Sequence, residues 1–113
     1  MISKSVQEAL NEQIKNELYS AYLYLAMAAH FESSNLPGFA HWMKIQAAEE
    51  VKHSMKFFEY INERGGKVTL KAIDQPPTNY KTPLDIFKSA LLGPARTGQG
   101  LDQEAIDDLL ANM

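Results

Sequence analysis

The chain has 113 residues, of which 45% are hydrophobic, a formal net charge of −3 and no cysteine. This predicts one domain with a sizeable apolar core, and excludes disulfides and thiolate zinc sites. No basic cluster, phosphate-binding glycine loop, membrane-length apolar run or signal peptide is present, so we expect a cytoplasmic protein with no nucleic-acid partner and no membrane contact.

The first predicted elements are two long helices over residues 3–31 and 37–64. Turn-forming residues around Asn35 join them, and so short a connection predicts an antiparallel hairpin. Gly65 and Gly66 should cap the second helix. The fold class is therefore predicted to be all-α.

A proline-bearing connection over residues 67–83 follows the hairpin and leads to a short third helix. Thr82 is the expected N-cap, Pro83 the first helical residue, and Gly93-Pro94 the end of this helix. We assign residues 1–92 to one helical domain.

The predicted tail consists of a flexible linker, residues 93–100, and a short acidic amphipathic helix, residues 101–113. Its apolar face includes Leu101, Ile106, Leu109 and Leu110. This face either packs on the hairpin or docks a protein partner. The second interpretation follows from a resemblance to the peptides with which flagellar switch proteins and a chemotaxis phosphatase bind a phosphorylated response regulator.

Three metal-ligating residue types fall at one depth of the predicted hairpin. Glu17 lies 18 residues before Asn35, and Glu50 and His53 lie 15 and 18 residues after it. Each lies in a stripe of helical period: Val6, Leu10, Ile14, Glu17, Ala21, Leu25 and Ala28 on the first helix, and Phe39, Met43, Gln46, Glu50, His53, Phe57 and Tyr60 on the second.

Any one of these residues alone is best explained as a solvated glutamate or a core histidine with a hydrogen-bonded partner. Three of them at one level instead predict a metal site, because buried polar groups need partners. A glutamate and a Glu-x-x-His from neighbouring helices are half of the carboxylate di-iron ligand set of helical bundles. Oxygen and imidazole ligands suit iron or manganese.

Residues 1–91 resemble the first half of a bacterial non-haem ferritin subunit. The matching stretches are LNEQ at 10–13, ELYS at 17–20, YLYL at 22–25, GFAHW at 38–42, EEVKH at 49–53 and YINERGG at 60–66. The resemblance implies a ferroxidase di-iron centre with Glu17, Glu50 and His53 as ligands, Glu50 bridging the metals. It also implies an accessory iron site at Glu49.

By the same resemblance, Tyr24 is the tyrosine beside the centre, although packing with a hydrogen-bonded hydroxyl explains a buried tyrosine equally well. Val51 stands where the related bacterioferritins carry a haem-ligating methionine, so no haem is expected. The implied activity is oxidation of ferrous iron by dioxygen.

The sequence departs from the ferritin pattern near Pro94, where an ungapped alignment places a metal-binding glutamate of the third helix. The remaining helices of a ferritin subunit are absent from this sequence, so we expect two copies to form a four-helix bundle with one shared di-iron site. A homodimer or higher homo-oligomer is therefore predicted. The alternatives are an iron or oxygen sensor that docks a signalling partner through residues 101–113, and an inactive ferritin fragment.

Overall fold

A computed structural model of the chain describes residues 1–80 and 82–91. Within these ranges α1 spans Lys4–Ser33, α2 spans Pro37–Glu63 and α3 spans Pro83–Leu91. The long helices α1 and α2 pack against each other, and α3 contacts α1. The predicted all-α hairpin with a short third helix is confirmed, whereas the predicted linker (93–100) and tail helix (101–113) lie outside the described residues.

The turn between α1 and α2 is fixed by local backbone chemistry. Asn35 has a φ of 60°, in the left-handed region that asparagine tolerates better than most residues. The Leu36 amide donates to the Phe31 carbonyl at 2.8 Å, which closes α1 with a Schellman-type cap. Pro37 then begins α2, where its missing N–H has no helical partner to lose. The chain thus reverses direction within three residues.

The end of α2 shows the predicted glycine cap. Gly65 has a φ of 74°, and the Gly66 amide donates to the Ile61 carbonyl at 2.9 Å. A Cβ atom at Gly66 would lie only 2.9 Å from side-chain atoms of Ile2 and Gln7. Glycine is therefore required at both positions, one for its backbone angle and one for close packing against the start of the chain.

Two apolar clusters fill the interface between the long helices. The cluster near the turn contains Ala21, Leu23, Tyr24, Met27, Ala28, Phe31, Ala40, Met43, Ala47 and Ile86. The cluster at the open end of the hairpin, where α1 begins and α2 ends, contains Leu10, Ile14, Phe57 and Ile61. Glu17 lies between the two clusters in α1, so the apolar core is interrupted near the middle of the hairpin.

Two apolar residues of the predicted helix stripes, Leu25 and Phe39, are about half exposed, at 49% and 43%. Small residues of α2, Ala40, Ala47 and Ser54, are buried instead. Helical period shows which residues share a face, but small side chains decide where two helices approach closely.

The connection after α2 is held on α1 by a buried amide. Asn11 Nδ2 donates to the Lys67 carbonyl at 3.0 Å, and Asn11 Oδ1 accepts from the Thr69 amide at 2.9 Å. An ion pair between Lys71 Nζ and Glu12 Oε2, at 2.7 Å, adds a second attachment. These contacts hold the first residues of the connection against α1, so that it runs from the open end of the hairpin toward the turn.

Helix α3 docks at the turn end of the hairpin. Thr82 Oγ1 accepts a hydrogen bond from the Asp85 amide at 3.2 Å, which confirms the predicted N-cap. The Phe87 ring lies 5.1 to 5.6 Å from the rings of Phe31, Phe39 and Trp42. Such aromatic contacts add to the burial that holds a short helix in place. None of the helices within residues 1–80 and 82–91 is both long enough and apolar enough to cross a bilayer.

Candidate metal centre

The candidate site lies where α1 and α2 face each other between the two apolar clusters. Glu17 comes from α1, and Glu50 and His53 come from α2. A spacing of three residues places Glu50 and His53 on the same face of α2, one turn apart. The three side chains predicted to share one depth therefore meet.

Atoms that can bind a metal converge closely in this group. His53 Nδ1 lies 3.6 Å from Glu17 Oε2 and 3.5 Å from Glu50 Oε2. One ligand atom from each of the three residues lies within 4.8 Å of the other two. Ligands at tetrahedral angles on one first-row metal ion, with bonds of about 2.1 Å, are separated by about 3.4 Å. The two distances from His53 Nδ1 are close to that spacing.

The three side chains form a gradient of exposure. Glu17 is 5% exposed, Glu50 20% and His53 32%. Two carboxyl groups beside one imidazole give the group acceptor oxygens and a ring nitrogen, a donor set suited to iron, manganese or zinc. A cation can therefore reach the site from the His53 side, while Glu17 holds it from within the core.

A fourth residue, Gln13, belongs to this site and was not predicted. Gln13 Nε2 donates to Glu17 Oε1 at 3.0 Å, and the Gln13 side chain is buried. Within the described part of the chain, Gln13 Oε1 has no hydrogen-bond partner. Leaving a buried acceptor unpaired costs about 1–3 kcal/mol. The spacing of four residues from Glu17 was a usable signal, because such pairs meet on one helical face.

The two accessory residues predicted from the sequence lie outside the group of three. Glu49 is on an adjacent, exposed part of α2, where its carboxylate lies 3.7 Å from Lys52 Nζ. Tyr24 is buried in the apolar cluster near the turn, two helical turns beyond Glu17. The predicted partner-binding residues Leu101, Ile106, Leu109 and Leu110 lie outside the described residues.

Sequence comparison relates the chain to ferritins. A profile of the ferritin-like domain family matches residues 7–96. The bacterial non-heme ferritin of Bacteroides fragilis is 47% identical over 88 residues, which cover 78% of this chain and 55% of that protein. The bacterial non-heme ferritin of Staphylococcus haemolyticus is 42% identical over 91 residues, covering 80% and 55%. The chain thus spans about half the length of the relatives it matches.

Structural comparison gives the same relationship. A solved open-pore ferritin from the archaeon Archaeoglobus fulgidus superposes with a TM-score of 0.76 and 50% sequence identity. The match covers 78% of this chain and 54% of that one. An engineered closed form of the A. fulgidus ferritin matches with the same TM-score and identity.

Proposed function

The chain belongs to the ferritin-like domain family, and from that premise we propose that it binds ferrous iron at Glu17, Glu50 and His53 and oxidises it with dioxygen. One observation carries this proposal: two carboxylates and an imidazole converge to within 4.8 Å between two apolar clusters of the helix interface. Such groups are costly to bury unless they bind one another or a cation. Iron is the substrate of this reaction.

Each residue has a distinct task in the proposed reaction. Glu17 supplies a carboxylate oxygen from the buried side of the site. Glu50 lies between the core and the surface and, by its resemblance to the ferritin ligand, bridges two ions. His53 supplies Nδ1, the ring nitrogen that faces both carboxylates. Together they hold ferrous ions beside open coordination positions at which dioxygen accepts their electrons.

We also propose two accessory roles. The exposed Glu49 would receive ions near the entrance, and the buried Tyr24 would stand beside the reacting metals. Glu49→Gln should then slow iron entry without changing tight binding at the centre. A cytoplasmic location and the absence of haem stay predictions from the sequence.

We further propose that a second copy of the hairpin completes the centre. The described ligands amount to one glutamate and one Glu-x-x-His, whereas a full di-iron set in a helical bundle has two of each. Two hairpins related by a two-fold axis would supply four carboxylates and two imidazoles. The partial exposure of Glu50 and His53 leaves the site open to such a partner.

The oligomer proposal is tested by measuring assembly mass and bound metal on the same sample. A dimer or larger even-numbered assembly with one tightly bound ion per chain supports the shared centre. A folded monomer that binds two ions per chain, both tightly, would contradict the shared centre.

The ferroxidase proposal is tested by Glu50→Ala, with Glu59→Ala as the matched control. Glu59 is an exposed glutamate of the same helix, nine residues away. After ferrous iron is added in air, the initial rate of ferric absorbance should fall more than about tenfold in Glu50→Ala and stay unchanged in Glu59→Ala. Equal rates in the wild type and Glu50→Ala would refute ferroxidase activity at this site.

A further inference from the structure

The amide of Gln13 restrains the most deeply buried ligand of the candidate centre. Gln13 and Glu17 are one turn apart in α1, and both are buried. Gln13 Nε2 donates to Glu17 Oε1 at 3.0 Å. The other oxygen of the same carboxylate, Oε2, is the atom that lies 3.6 Å from His53 Nδ1. One oxygen is thus engaged within α1 and the other faces α2.

We propose that Gln13 is a positioning residue that fixes Glu17 as a one-oxygen ligand, with Oε2 directed at the metal; this inference rests on the proposed function. A carboxylate that is free to rotate can bind a cation through either oxygen or through both. The amide hydrogen bond removes that freedom before a metal arrives. Outer hydrogen-bond partners of this kind orient metal ligands and tune affinity.

The orientation of the Gln13 amide follows from the chemistry of its neighbour. Only the NH₂ group of the amide can donate, whereas a carboxylate only accepts. The reverse orientation would place the amide oxygen against a carboxylate oxygen, so Nε2 must face Glu17. This choice leaves Gln13 Oε1 buried and without a partner within residues 1–80 and 82–91.

That unpaired oxygen separates a positioning role from a packing role. An apolar side chain of similar length would fill the same space without burying an acceptor that nothing satisfies. It would, however, remove the hydrogen bond that Gln13 donates to Glu17 Oε1. The Gln13 amide is therefore explained by its contact with Glu17.

The test uses Co²⁺, a divalent ion that resembles Fe²⁺ in ligand preference and whose visible spectrum reports coordination number and geometry. Gln13→Met keeps the length and helix propensity of the side chain and removes both polar atoms. Co²⁺ affinity should fall by about 10- to 100-fold, and the spectrum should change. The thermal midpoint of the metal-free protein should change little, because the variant removes one unpaired buried acceptor, Gln13 Oε1, and leaves another, Glu17 Oε1, without its donor.

Asn11→Leu is the matched control, because Asn11 is an equally buried amide in α1 whose two polar atoms bind the connection instead. It should lower the thermal midpoint and leave Co²⁺ affinity and spectrum as in the wild type. Gln13→Asn, whose amide is one methylene too short to hold Glu17, should reproduce the effect of Gln13→Met on affinity and keeps the test decisive if the Met variant does not fold.

The outcomes separate this inference from the function on which it rests. Wild-type protein that binds Co²⁺, together with a folded Gln13 variant of equal affinity and identical spectrum, would overturn the positioning role alone. Wild-type protein that fails to bind Co²⁺ would overturn the proposed function and this inference together.

Discussion

Two neighbouring buried polar regions of α1, one at Asn11 and one at Gln13 and Glu17, differ in how their polar atoms are paired. At Asn11 both amide atoms have backbone partners in the connection, the Lys67 carbonyl and the Thr69 amide. The region around Gln13 and Glu17 is buried to the same degree. Its amide oxygen, however, has no partner within the described residues.

The difference separates a structural polar site from a ligand-binding one. Asn11 joins α1 to the connection, and its hydrogen bonds offset the free-energy cost of burying its amide. Glu17 faces His53 and Glu50 at distances of a metal site rather than of a direct hydrogen bond. The convergence of three ligand-type side chains, one of them buried, is therefore what distinguishes the Glu17 region from Asn11.

The largest effect is expected when Glu17, the buried carboxylate of the candidate metal centre, is replaced. Glu17→Met should weaken Co²⁺ binding at least about 100-fold because a carboxylate ligand is lost. It also leaves the buried Gln13 amide donor without its partner, so the free energy of unfolding of the metal-free protein should fall by about 1–3 kcal/mol. Isothermal titration and chemical denaturation measure the two quantities. Co²⁺ affinity equal to that of the wild type would show that Glu17 is not a ligand of the ion.

Metal itself should stabilise the hairpin through the same residues. At a free Co²⁺ concentration 100 times the dissociation constant, the free energy of unfolding should rise by about 2.7 kcal/mol. Asn11→Leu should gain the same increment, whereas Glu17→Met should gain almost none. An equal gain in all three proteins would place the bound ion elsewhere.

Substitution of Asn11, whose two amide atoms both have partners, should change the stability of the fold rather than its metal affinity. Asn11→Leu should lower the free energy of unfolding by about 1–2 kcal/mol, because two hydrogen bonds to the connection are lost and water replaces them only in part. Urea denaturation monitored by circular dichroism measures this loss. Unchanged stability would mean that the connection does not depend on the Asn11 amide.

The smallest effect concerns the ion pair beside Asn11. Lys15 and Lys71 hold the pKa of Glu12 below its usual value of 4.5. A lowered pKa in the folded state adds stability above pH 4.5 that is lost as the pH falls further through the folded-state value. Glu12→Gln should cost less than about 1 kcal/mol at neutral pH. It should also flatten the decline in thermal midpoint below pH 4.5, and an equally steep decline would exclude Glu12 as its source.

Much of the hairpin could be predicted from the sequence because its boundaries depend on local chemistry. Ser3, whose Oγ accepts from the Val6 amide, begins α1, and Pro37 begins α2. Asn35 and Gly65 end the two helices through their positive φ angles. The shared depth of Glu17 and His53 followed from equal distances to the turn.

Other features depended on three-dimensional packing that helical period does not determine. Leu25 fits the apolar stripe of α1 and is nevertheless about half exposed, since period alone does not show which side of a helix finds a partner. Gln13 has the same spacing to Glu17 as many solvated glutamine–glutamate pairs. Only burial and the direction of its amide distinguish it.

The most direct test of the metal centre is a crystal structure of the wild-type protein grown with Co²⁺ and recorded at the cobalt absorption edge. Our account predicts an anomalous peak about 2.1 Å from Glu17 Oε2, a Glu50 carboxylate oxygen and His53 Nδ1. Well-ordered side chains at these three residues with no peak between them, or a peak bound only elsewhere, would contradict the account.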